Sequence, residues 1–260
     1  MQPKFIRIPV IAIMSLLVAS IMVRRHTTPV AAATEHHAVL VELFTSEGCS
    51  SCPPADALLR QIDGKVTDSG QLVVGVSEHV TYWNSLGWSD PFSAEAYTDR
   101  QNSYGARFQL DSVYTPQIVV NGERQVLGSD RNAVLQAVRE TDHPSQISVH
   151  IISAAMSDNV LTATYSISGS APRHNADLFA VIAEDVTSSN VLRGENSGRH
   201  LSHVSVARDI KRIGSAKDAT GASLSLSLKG GDHSSTRHLI LFAQEAHSGP
   251  VLSVDAIPIR

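Results

Sequence analysis

The chain has 260 residues, a formal net charge of −4 and few aromatics, 5% of the total. That balance carries no basic footprint for nucleic acid, and the length leaves room for one large or two small domains. The histidines are scattered without close metal-ligand spacing and there are only 2 cysteines, so neither a metal nor a cofactor is expected.

In chain order, Lys4 and Arg7 precede an apolar segment from Ile8 to Val23, and Ala31-Ala32-Ala33 follow. A basic end, an apolar core and small residues read as a secretory signal, cleaved after Ala33. Arg24-Arg25 sits between core and small residues. With charge on both flanks, an uncleaved signal anchor is the alternative. Residues 1–33 are therefore set aside, and the membrane is met only through them. Export, to the periplasm or beyond, lets a lone cysteine pair persist oxidised. The remainder divides at 143 into 34–143 and 144–260.

Ala38 to Phe44 is an apolar run that reads as a buried strand, and Leu58, Leu59 and Ile62 have helical spacing. Between them lies Glu47-Gly48-Cys49-Ser50-Ser51-Cys52-Pro53-Pro54. Two intervening residues in a tight turn let the sulfurs meet. Pro53-Pro54 fits the first helical turn, with Ser50 or Ser51 free to cap it. Free backbone N–H groups at the helix start then favour a thiolate on Cys49, the expected exposed nucleophile, with Cys52 half-buried as its resolving partner. Glu47 and Asp56 oppose that thiolate and keep its pKa shift modest. A loop this short removes little unfolded-chain entropy, so a purely structural staple gains little from it.

Gln71 to Ser77 is a second apolar run, completing a βαβ unit with parallel strands. The next segment, Glu78 to Phe92, holds both tryptophans, Trp83 and Trp88. It leaves the sheet at the edge that carries the cysteines, where it either builds a substrate platform or covers a small core. Ser93 to Arg107 reads as a helix capped by Ser93. Asn121-Gly122 between two apolar runs signals a hairpin, with Pro116 opening its first strand. Asp130 to Glu140 reads as a helix.

This layout resembles the thioredoxin fold: Cys-x-x-Cys at a strand-to-helix turn, Thr-Pro opening a later strand, a hairpin, a final helix. The chain is more closely similar to an uncharacterised family of secreted bacterial thioredoxin-like proteins. The likeness rests on the 42–56 run, on His79, Tyr82-Trp83, Gly87-Trp88 and Asp90-Pro91-Phe92, and on Tyr114-Thr115-Pro116-Gln117. It implies a cis Thr115–Pro116 bond beside the cysteine pair. It brings no established activity. Gly48 and Ser50-Ser51 depart from thioredoxin, which leaves potential and partner open.

After Ser145 the pattern changes. Ile147–Ile152, Val160–Ile167, Asp177–Ala183, His203–Ile210, Ala222–Leu228, His238–Gln244 and Val251–Ile257 read as short strands of an antiparallel sandwich. The charged, glycine-rich segment Arg193 to His200 reads foremost as a solvated loop; the alternatives are an anion site or an arm over the cysteines. The expected fold is thus an α/β thioredoxin-like domain followed by a mainly antiparallel, sandwich-like β domain.

The expected function is a cell-envelope thiol–disulfide oxidoreductase acting on a protein or small thiol or disulfide. Cys49 attacks, Cys52 resolves and Pro116 shapes the peptide surface, while Trp83, Trp88 and Thr115 contact substrate. Two other classes compete. One is a secreted binding module with a structural or regulatory disulfide. The other is a copper metallochaperone using both thiolates and His79.

Overall fold

A computed structural model describes residues 37–141, 146–170, 174–217, 222–227 and 236–260. The expected signal segment, residues 1–33, lies outside the described residues. The described residues form one compact unit.

Strand β1 (Ala38–Thr45) is followed by helix α1 (Pro53–Ile62) and strand β2 (Leu72–His79). The two strands are parallel, with Ala38 opposite Leu72 and Thr45 opposite His79. Both faces of β1 are covered, which is why its sequence is a continuous apolar run rather than an alternation. Val39, Val41 and Leu43 pack with α1 and with α3 (Arg131–Glu140). Leu40 faces the other way, among Val74, Val76 and Tyr97. Tyr97 belongs to helix α2 (Glu95–Arg107), whose N-cap is Ala94 rather than Ser93. Strands β3 (Gln117–Val120) and β4 (Arg124–Leu127) form the expected hairpin. Its turn is Asn121-Gly122, both at positive φ, 47° and 64°, the left-handed pair that a two-residue hairpin needs. The Thr115–Pro116 bond is cis.

The seven later strands all form: β5 (Ile147–Ser157), β6 (Val160–Gly169), β7 (Ala176–Asn190), β8 (His200–Ser215), β9 (Ala222–Ser227), β10 (Arg237–Glu245) and β11 (Val251–Pro258). Their assembly corrects the expected fold class. The described residues are mostly β, 49% strand against 18% helix. It does not fold as an α/β thioredoxin-like domain followed by a separate sandwich. One mixed eight-stranded sheet runs through both halves in the order β11-β10-β7-β8-β2-β1-β3-β4. Only β5, β6 and β9 form a second sheet, and its apolar face packs on Leu178, Ala180, Leu239 and Leu241 of the first.

The physical reason lies in β2 and β8. Strand β8 takes the free edge of β2 in parallel, joined by the pair Ser77 and Val206. Around this seam Leu40, Val74 and Val76 share an apolar cluster with Val181, Ala183, Ala207, Ile240 and Phe242. Burying that shared surface outweighs keeping two separate cores.

A buried charged cluster lies on the same face. The Arg100 guanidinium meets the Glu42 carboxylate directly and lies 3.7 Å from Glu78. It also donates to the Tyr104 hydroxyl at 3.0 Å and to Gln244 at 3.1 Å. Tyr104 in turn donates to Glu42 at 2.6 Å. Burial, with the charge of Glu42 adding to it, pushes the Glu78 carboxyl well above the usual range. Glu42 holds Arg100 firmly protonated although burial opposes the charge.

Candidate functional site: a roofed disulfide on a buried acid–histidine bridge

Because β1 and β2 are parallel and in register, their carboxyl ends emerge side by side at Thr45 and His79. The chain leaving β1 makes the cysteine turn, and the chain leaving β2 makes the tryptophan loop. Cys49 and Cys52 are disulfide-bonded. Cys52 is the N-cap of α1 and no side chain caps the helix. Both cysteines have 0% exposure. The expected exposed Cys49 is therefore corrected to a buried one, in a turn to which a remote segment is bonded.

That segment is the loop 191–199 between β7 and β8, first read as a solvated loop. Asn196 reaches the turn with one amide nitrogen, donating to the carbonyls of Glu47 and Cys49, both at 2.9 Å. The backbone N–H of Ser50 donates to Glu195 at 3.0 Å. Asn196 is itself held by Arg199, which donates to its side-chain oxygen at 2.8 Å. The loop is closed on itself by Val191 N–H to Arg199 and Gly198 N–H to Val191, at 2.9 and 2.8 Å. Gly194, at φ +74°, passes beside Gly87 and Trp88; a side chain there would press on the Trp88 Cβ at 3.3 Å. Only glycine combines that conformation with so close an approach.

Beneath the turn the polar groups converge. The buried Glu47 carboxylate accepts from Trp88 Nε1 at 2.8 Å and from Ser189 Oγ, and lies 3.4 Å from His203 Nε2. The other His203 nitrogen, Nδ1, lies 3.4 Å from Asp56, which also accepts from Thr45 at 3.2 Å. His203 thus spans two carboxylates, one before Cys49 and one a helical turn after Cys52. Burial works against its charge, but the contacts with Asp56 and Glu47 prevail and raise its pKa to about 9. Glu47 is likewise opposed by burial, yet His203, Ser189 and Trp88 hold it below the usual carboxylate range. A second pair sits alongside. His79 Nδ1 meets Asp90 at 2.7 Å, and Asp90 also accepts the Glu47 backbone N–H at 2.8 Å. The rings of His79 and His203 meet edge to face at 4.7 Å between centroids.

The residues expected to contact substrate have partners within the fold. Trp83 Nε1 donates to Thr115 at 2.8 Å, while Trp88 is committed to Glu47. Trp83 also fits against Gly48, where any side chain would approach its Cβ to 3.1 Å. Pro116 is buried near Ala55 at the start of α1, the two flanking Gly128. The structure thus gathers Cys49, Cys52, Trp83, Trp88, Thr115 and Pro116 around one turn. It adds Asp90, Ser189 and His203, which the sequence alone gives no role, and Asn196, from the segment whose alternative role was an arm over the cysteines. Their signal is non-local, since Asn196 and Cys49 are separated by 147 positions. Glu195 belongs to the same remote group. His79, a ligand only in the competing metallochaperone reading, turns to Asp90. Among the described residues no group of three or more His, Cys, Asp or Glu side chains is placed to hold a metal ion. No described helix is long and apolar enough to cross a membrane, and the disulfide is compatible with an exported protein.

Among solved structures, the chain is similar to a protein of Agrobacterium tumefaciens, with 26% identity and a TM-score of 0.63, over 86% of this chain and 96% of that one. It is also similar in fold to HBP35 of Porphyromonas gingivalis, with 16% identity and a TM-score of 0.58, over 86% of this chain and 76% of that one. No curated protein matches it. A family described as "Protein of unknown function (DUF1223)" matches residues 40–244, and the chain belongs to that family.

Proposed function

We propose that this is an exported partner-binding protein in which Cys49–Cys52 is a covered crosslink with a structural and regulatory role. The observation that carries this reading is the roof: both sulfurs are buried, and Asn196 and Glu195 occupy the outward backbone groups of the turn. The crosslink holds the turn in the shape on which loop 191–199 docks. A partner-binding role draws on the rim of that roof. There Leu86 and Leu192 are 58% and 71% exposed, on two loops that meet at Gly87 and Gly194. In this reading the two leucines are apolar surface that a partner would cover.

The test is reduction under native conditions, read by alkylation and mass. The wild-type disulfide resists dithiothreitol at concentrations that open an exposed disulfide. The Asn196→Ala variant, lacking two hydrogen bonds to the turn, opens faster by about tenfold or more. Equal and rapid opening of both proteins overturns the covered-crosslink reading.

A second reading is favoured by one observation: the pair lies at the N-terminus of α1, with Cys52 as its N-cap, where a thiolate is stabilised. In this reading the protein is a thiol–disulfide oxidoreductase that works with the roof lifted. Cys49 attacks, Cys52 resolves, and Pro116, Thr115, Trp83 and Trp88 line the substrate surface. Turnover of insulin disulfides by Asn196→Ala, with dithiothreitol as reductant, supports it. No turnover by that variant ends it.

A further inference from the structure

The buried cluster below the turn holds more charge than a crosslink needs. Glu47 stands two residues before Cys49. Asp56 follows Cys52 by one helical turn, its N–H donating to the Cys52 carbonyl at 3.2 Å. His203 lies between these carboxylates at 3.4 Å from each. The bridge therefore runs from one flank of the disulfide to the other. We propose that the Glu47–His203–Asp56 bridge is the proton-linked element of the cysteine site, so that opening the Cys49–Cys52 disulfide and holding the His203 proton are coupled. The proposal rests on the reading of the disulfide as a crosslink that can be opened.

The chemistry is thiol–disulfide exchange with a dithiol reductant. One dithiol sulfur, as thiolate, attacks a cysteine sulfur. The S–S bond breaks, a mixed disulfide forms and the other cysteine leaves as a thiolate. The second dithiol sulfur gives up its proton to water, closes on the first and expels the remaining cysteine as a thiolate. The dithiol is oxidised by two electrons to its cyclic disulfide, and the protein pair gains those electrons. New negative charge thus appears beside buried carboxylates. The charged and titratable groups that face His203 or its immediate partners are Glu47 from the turn, Asp56 and Arg60 from α1, His79 from β2 and Asp90 from the loop. Arg208 of β8 lies over the Phe92 ring that packs on His203. The His203 imidazolium is the titratable cation in contact with both flanking carboxylates. A thiolate formed in the turn that those carboxylates flank favours the protonated ring, and by reciprocity the protonated ring favours opening.

His203 acts here as a positioning residue, so the readout is its own titration. The imidazole of the full wild-type chain is followed by NMR, assigned through bonds, in the oxidised protein and in protein reduced in denaturant and refolded with reductant. The oxidised midpoint is expected near 9 and the reduced midpoint about one pH unit higher. Coincident midpoints overturn the proposal. If the reduced chain does not refold, the opening rate of the oxidised wild type decides, corrected for ionisation of the dithiol. It falls about tenfold as pH rises through the His203 midpoint, and a flat corrected rate overturns the coupling. In His203→Gln the corrected rate is expected to be flat; a fall equal to the wild type's overturns it too. An exposed-like opening rate in the wild type would remove the covered-crosslink reading while leaving the coupling measurable.

Discussion

Two buried charged clusters sit on strands β1 and β2, and they are built on different principles. In the first, Arg100 gathers Glu42, Tyr104 and Gln244 around a cation that never loses its proton. In the second, His203 spans Glu47 and Asp56 with a cation that can lose it. The first lies among the apolar residues that join the two halves of the sheet. The second lies at the carboxyl ends of the strands, against the disulfide and its roof. A permanent charge suits a position that only holds the fold together. A titratable one, next to a bond that can be opened, lets the local charge vary without dismantling the sheet.

The sharpest way to break the comparison is to remove its permanent cation. Arg100→Met leaves Glu42 buried without its counter-ion and should cost about 3–5 kcal/mol in urea denaturation, enough to unfold a marginal chain. A cost below about 1 kcal/mol, the range of exposed ion pairs, would show that the cluster is solvated. Removing the titratable cation should have an effect that depends on pH. The folded pKa of His203, about 9, lies above its ordinary 6.5. Its stabilisation is therefore complete below about pH 6.5 and is lost as pH rises through about 9. Between those limits the wild type should lose roughly 3 kcal/mol. His203→Gln should show a flatter profile in denaturation at stepped pH, and two parallel profiles would mean that the ring is already neutral.

Two smaller changes sharpen the contrast. Asn196→Ala removes hydrogen bonds to two turn carbonyls, costs about 1–2 kcal/mol and speeds amide exchange at Ser50 and in loop 191–199. Unchanged exchange would mean that the loop is held by its own closure alone. Glu78→Gln keeps the shape of a carboxyl that burial pushes strongly toward its neutral form. It should raise stability at pH 7 by about 1 kcal/mol; a loss instead would show that Arg100 needs both carboxylates.

Local elements were legible where the signal was local. Pro53-Pro54 marked the start of α1, Asn121-Gly122 the hairpin, and the alternation in 222–227 a strand with one face buried. The partnership between strands was not legible, because β8 joins β2 through a single register pair and nothing near Val206 announces it. The site divided in the same way. The cysteine turn, both tryptophans and Pro116 are close in sequence to the strands that carry them. His203 looked like any residue of a strand, and Asn196 lay in a polar loop for which an arm over the cysteines was only an alternative. Their roles arise only when the β7–β8 ribbon folds back over a turn that precedes it by more than half the chain.

That fold-back separates two events in time. A chain made from its N-terminus produces Cys49 a full 147 residues before Asn196. At ordinary synthesis rates the delay is roughly 7–30 s. Where export keeps pace with synthesis, the cysteines reach the oxidising compartment during that interval without a roof, and an oxidant meets them there. The order of manufacture therefore gives the disulfide its chance to form first, and the arrival of the loop then withdraws it from further exchange.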